Sequence, residues 1–188
     1  MRIFISGGCK NGKSTHGQQL AKKQCGQSDT LYFIATMKPS DDEDIERIAR
    51  HRYERKDLGF TTVEQPTTIE EILEKCDHNA SFILDSLTAL LANEMFLQED
   101  CFDREACGRV AKGINQVLDT LSNIVIVSDY IYSDANLYDP LTESYRKSLA
   151  TLDRLVASKC DVVIEIIHAQ IVIHKGEELL KEVQHAIH

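Results

Sequence analysis

MRIFISGGCKNGKST, residues 1–15, decides how the rest of the chain is read. A short apolar run, Ile3 to Ser6, leads without pause into a glycine-rich turn. Gly7, Gly12, Lys13 and Ser14 satisfy G-x-x-x-x-G-K-[ST], and a helical pattern follows over 13–24. Glycines at those places let backbone N–H groups turn inward around an anion, and the helix N-terminus adds a favourable dipole. Lys13 is placed to reach β- and γ-phosphates, and the Ser14 hydroxyl to bind Mg²⁺. The expected phosphate cradle is therefore Gly7, Gly8, Cys9, Lys10, Asn11, Gly12, Lys13 and Ser14. Such a cradle needs an acid near the metal, at the end of a neighbouring strand. Asp85, closing SFILD, fits best, and Asp129, closing NIVIVSD, is second.

Outward from that turn, short apolar runs recur: LYFIAT (31–36), SFILD (81–85), NIVIVSD (123–129), DVVIEII (161–167) and IVIHK (171–175). Most are continuous rather than alternating, as in strands buried on both faces. Helices are expected at 13–24, 41–56, 69–76, 87–97, 103–122 and 142–158, with an amphipathic C-terminal helix over 176–188. Strands that alternate with helices predict an α/β fold of the P-loop NTPase type, with a mostly parallel sheet covered on both faces. The last two strands are too close for a crossover and should form an antiparallel hairpin at one edge. A single nucleotide-binding domain over 1–188 is the expectation.

Hydrophobic residues make up 43% of the 188 and charged residues 27%, the balance of an ordinary globular protein. A net charge of −9 argues against a general nucleic-acid or membrane-surface binder, since both partners are polyanionic. The six cysteines show neither C-x-x-C nor regular spacing, so reduced thiols are expected. No signal-peptide or membrane-spanning pattern is seen, and the expected location is the cytoplasm.

IARHRYER, residues 48–55, gathers Arg50, Arg52 and Arg55 around His51, with Arg47 just upstream. Two explanations use the same residues. In the first, Ser40 to Glu43 cap a helix, Glu43–Arg47 and Glu46–Arg50 are i,i+4 pairs, and the arginines are its solvated C-terminal half. In the second, Arg47, His51 and Arg55 share a helix face and hold a triphosphate. Neighbouring cations keep an imidazole neutral and so nucleophilic, which would let His51 take a nucleotidyl group. Residue types alone leave both open.

The ordered set resembles one family. Gly7 to Ser14, Tyr32 to Thr36, Arg47 to Arg55, Thr62 to Pro66, and Leu84 to Asn93 are similar in order and spacing to the bifunctional cobinamide kinase / cobinamide-phosphate guanylyltransferases of cobalamin assembly. The resemblance extends over about residues 1–175. It implies a GTP-using enzyme that phosphorylates the aminopropanol hydroxyl of adenosylcobinamide, then transfers GMP to that phosphate through a guanylylated histidine. By position His51 would accept GMP, and Arg52, Tyr53, Glu54 and Arg55 would border the nucleotide. Ala35, Thr36 and Met37 would line the GTP site, Glu64 would contact the nucleotide, and Asp85 stands where the family usually has Glu. Mg²⁺ follows from the triphosphate chemistry, with Ser14 and Asp85 as its expected ligands, while GTP or ATP as donor, a corrinoid acceptor and a homo-oligomer follow from the resemblance.

The chain departs from the family mainly in its second half. The family's N-E-x-G becomes Ser128-Asp129-Tyr130-Ile131, and its F-R-D…G…N-Q helix becomes Tyr145-Arg146-Lys147…Ala150…Asp153-Arg154. Two alternatives stand beside the bifunctional enzyme: a P-loop small-molecule kinase without the guanylyl step, and a non-catalytic GTP-binding regulator.

Overall fold

Apolar runs without alternation call for strands covered on both sides, and the computed structural model shows that arrangement. It describes residues 1–26, 30–39, 46, 58–98, 101–132, 134 and 136–185. β1 (Arg2–Gly7), β2 (Leu31–Ala35), β3 (Thr61–Glu64) and β4 (Ser81–Asp85) come first, and β5 (Phe96–Gln98) with β6 (Cys101–Phe102) makes a small separate ribbon. β7 (Ile124–Asp129), β8 (Val162–Ile167) and β9 (Gln170–Lys175) join the first four in a seven-stranded sheet of order β3-β2-β4-β7-β1-β8-β9. All neighbours in it are parallel except β8 and β9, the expected antiparallel hairpin edge.

Successive residues of each central strand feed two cores. Ile3, Ile5, Ile83, Val125 and Val127 pack with α1 (Lys13–Gln24) and with Leu180 of α6 (Glu177–His185). Phe4, Phe82, Leu84, Ile124 and Ile126 face the other way, onto α3 (Leu87–Met95), α4 (Ala106–Thr120) and α5 (Pro140–Lys159). Each strand is thus apolar throughout because it has no solvent face. A 3₁₀ turn at Ile69–Glu71 and the single-turn α2 (Ile72–Lys75) complete the second layer.

Three elements differ from expectation. β3 has exposed positions at Thr61, Thr62 and Glu64. As an edge strand it carries no continuous apolar run, and its polarity concealed it. The helix expected over 87–97 ends at Met95, where the chain enters the β5–β6 ribbon. The Phe96 and Phe102 rings lie 5.7 Å apart, so a cross-strand aromatic pair wins over helical spacing. α5 starts at Pro140 rather than 142, because Asp139 accepts from the N–H groups of Leu141 and Thr142 at 2.9 and 3.2 Å and Pro suits the first helical position.

The helix expected over 41–56 lies outside the described residues apart from Glu46, which is helical. Among the described residues no helix is long and apolar enough to cross a membrane. Cys9, Cys25, Cys76, Cys107 and Cys160 are free thiols.

Candidate nucleotide-binding site

A parallel sheet brings the C-terminal ends of its strands to one edge, and the expected site residues fall there. Glu64 is opposite Ala35, Ala35 opposite Asp85, Asp85 opposite Val127, and Gly7 opposite Asp129. The glycine-rich turn rises from the middle of this row and runs into α1. Gly12 holds φ +90°, which a side chain would oppose. At Gly7 an added Cβ would sit 2.5 Å from the Ile166 carbonyl oxygen and 2.6 Å from Asn11 Nδ2, so the turn closes only around glycine. Asn11 Nδ2 donates to the Ile166 carbonyl, fixing the turn to β8. Cys9 and Lys10 are exposed at its tip, and Ser14 is half-buried in the first turn of α1.

Lys13 is 5% exposed, which a lysine tolerates only when its charge is answered. Its Nζ donates to the Gly8 carbonyl at 2.5 Å and to Asn11 Oδ1 at 3.2 Å, and lies 2.6 Å from Asp129 Oδ1. Three acceptors match its three N–H donors. Asp129, the second choice for the companion acid in the sequence, is thus the direct partner of the cradle lysine.

Thr36 is fully buried and knits β2 to β4. Its hydroxyl donates to the Ser86 carbonyl at 2.8 Å and accepts from the Ser86 N–H at 2.7 Å. Asn93 Nδ2 donates to the carbonyls of Thr36 (2.7 Å) and Pro66 (2.9 Å), tying the segment after β2 to the one after β3. These bonds explain the L-D-S-L-T-x-L-x-x-N pattern. Asp85 ends the strand, Ser86 caps α3 through the Ala89 N–H at 3.2 Å, and Thr88 turns toward β7. Asn93→Ala leaves the Thr36 and Pro66 carbonyls without this donor. It is expected to destabilise the fold by about 1–3 kcal/mol, read as a lower urea midpoint at unchanged slope. Met37 is half-buried just beyond Thr36, and Glu64 is exposed at the end of β3.

Behind Asp129 lies a polar layer that sequence reading missed. The Asp129 N–H donates to Thr88 Oγ1 at 2.8 Å, and Thr88 Oγ1 is 3.4 Å from Ser128 Oγ. Tyr145 donates its hydroxyl to the Thr88 carbonyl at 2.9 Å. Tyr132 donates to Asp153 Oδ2 at 2.7 Å. Burial pushes the Asp153 carboxyl up to about 6, against the opposing pull of the Tyr132 hydroxyl. Burial and the nearby carboxylate of Asp153 push the Tyr132 phenol up, and burial with Asp129 does the same to Tyr145.

Arg146, 6% exposed, fastens the segment after β7. It donates to the Ile131 carbonyl (3.0 Å), to Asp134 Oδ1 (2.8 Å) and to Glu143 Oε1 (2.5 Å), and lies 4.6 Å from the Tyr138 ring centroid. A signal for this layer is present in the sequence. Arg146 and Asp153 continue the buried stripe of Leu149, Leu152 and Val156 at helical spacing, two polar residues where apolar ones are expected.

His51, Arg52, Tyr53, Glu54 and Arg55 lie outside the described residues.

Fold and cradle together define a P-loop nucleotide-binding α/β protein. A similar fold occurs in a solved ATPase domain (12% identity, TM-score 0.53, covering 93% of this chain and 76% of that one). Another is the KaiC-like protein PH0186 of Pyrococcus horikoshii OT3 (13% identity, TM-score 0.51, covering 93% and 78%). At such identities the likeness is one of fold alone. The family model for cobinamide kinase / cobinamide phosphate guanyltransferase matches residues 3–172, and the chain belongs to that family. Both activities in that description are group transfers. The bifunctional adenosylcobalamin biosynthesis protein CobU of Escherichia coli (strain K12) is 32% identical over 97 residues, 51% of each chain. That match spans about half the length of the relative.

Proposed function

We propose that the chain is a kinase and guanylyltransferase of cobalamin assembly that uses GTP, phosphorylates adenosylcobinamide, and then transfers GMP to the new phosphate through His51. The observation that carries the reading is the enclosed Lys13 ammonium, held by Asp129 on the sheet edge that also carries Asp85 and Thr36. Membership of the cobinamide kinase family supports a corrinoid acceptor.

In the kinase step, β- and γ-phosphate oxygens take the place of Asp129 on Lys13, and the backbone N–H groups of residues 8–14 surround them. Asp129, released but still anchored through its N–H to Thr88, accepts the proton of the attacking hydroxyl. The new O–P bond forms as the bond to the β-phosphate oxygen breaks, and a nucleoside diphosphate leaves. Ser14 and Asp85 offer one hydroxyl and one carboxylate, a donor set that suits Mg²⁺, which takes one or two protein oxygens beside phosphates and water. When bound, Mg²⁺ would neutralise charge on the phosphates.

In the guanylyl step, a ring nitrogen of His51 attacks the α-phosphorus and pyrophosphate departs. A phosphate oxygen of the corrinoid then displaces the imidazole, restoring it. The clustered arginines of residues 47–55 supply positive charge for both displacements.

The kinase half is tested with GTP labelled at the γ-phosphate, Mg²⁺ and adenosylcobinamide. Label is expected on the corrinoid. Label released only as inorganic phosphate would overturn the assignment.

A further inference from the structure

Asp153 is a buried carboxyl with an unmet need. It is 3% exposed, Oδ2 accepts from Tyr132, and Oδ1 is buried with no hydrogen-bond partner among the described residues. Side chains alternate along β7, so Ser128 faces Asp153 on one side of the sheet while Asp129 faces Lys13 on the other. Thr88 ties the end of β7 together, since its hydroxyl meets both Ser128 Oγ and the Asp129 N–H.

We propose that Asp153 is a positioning residue for the kinase step, which acts on Asp129 through Tyr132 and the segment that follows β7, and by its charge across β7. The proposal rests on the assignment of Asp129 as proton acceptor.

An orphaned buried oxygen favours the neutral acid, which carries its own proton into the cavity. Above its titration, at about pH 6, Asp153 is charged. Two neighbouring negative charges repel, so a charged Asp153 acts across β7 on the field at the Asp129 carboxylate. The charge-assisted bond from Tyr132 also tightens, drawing in the segment that Arg146 clamps. Asp129 and Ser128 from β7, Tyr132 and Tyr145 surround Asp153, with Tyr130 and Glu165 of β8 beyond Tyr132 and Arg146 two turns back on its own helix. Glu165 is paired with His174 at 2.9 Å, and Arg146 with Asp134 and Glu143, so Asp153 has no cation of its own among the described residues.

Two variants and two readouts test this. Asp153→Asn keeps shape and hydrogen-bonding capacity but cannot ionise. Tyr132→Phe removes the donor that favours the charged form. In wild type the rate of phosphoryl transfer should rise through about pH 6. Asp153→Asn should lose that limb, with kcat about tenfold lower at pH 8, within about twofold at pH 5, and KM for nucleotide unchanged. Tyr132→Phe should keep the limb and move it to higher pH. Independently of turnover, the Asp129 carboxyl carbon resonance should show an inflection at the Asp153 titration that vanishes in Asp153→Asn. A uniform loss of rate at all pH values, or an Asp129 resonance that titrates identically in wild type and Asp153→Asn, would overturn the proposal.

Discussion

Lys13→Ala is expected to lower affinity for GTP by about 100-fold and the rate of phosphoryl transfer by a further 10²–10³-fold. The first figure follows from losing one charge-assisted contact to phosphate, worth about 1.5–3 kcal/mol, in a cradle where Lys13 is only 5% exposed. The second follows because charge on the γ-phosphoryl group and its leaving oxygen grows in the transition state, where Lys13 would stabilise it most. The fold should survive, since Asp129 is 30% exposed and regains water when its partner is gone. Titration calorimetry separates binding from the rate. Binding within about threefold of wild type would mean that the cradle does not hold the triphosphate by its lysine.

His51→Ala is expected to abolish covalent labelling by GTP labelled at the α-phosphate while leaving the kinase rate within about threefold. The argument is chemical. A P–N bond needs a neutral imidazole to attack and positive charge on the departing pyrophosphate, and Arg47, Arg50, Arg52 and Arg55 lie within four residues of His51 in sequence. Wild-type label should be lost in acid and kept in alkali, as for a phosphoramidate. Label retained in His51→Ala would place the acceptor elsewhere, and label absent from wild type would reduce the enzyme to a kinase.

How much was legible from residues alone depended on how local each determinant is. The cradle could be read because strand, glycines, lysine and helix are consecutive, and Gly7 and Gly12 meet constraints set by their immediate surroundings. The double cover of the sheet could be read because both faces of β4 and β7 are apolar. β3 was missed because an exposed edge strand needs no apolar run. Asp129 stands second to Asp85 as the expected acid near the metal, and its contact with Lys13 was not legible because it depends on strand order. β7 lies between β4 and β1, which puts Asp129 directly beside Gly7 and Asp85 one strand further away. The Tyr132–Asp153 and Arg146–Asp134 contacts join residues 21 and 12 apart through the packing of α5, beyond the reach of any motif.

The measurement that bears most directly on the whole assignment is the mass of adenosylcobinamide after incubation with the protein, Mg²⁺ and GTP. The expected result is a first product heavier by one phosphoryl group, followed by a second heavier by a further GMP. An unchanged corrinoid would contradict the assignment of this chain as a corrinoid kinase, and a first product that never advances would contradict the guanylyl step.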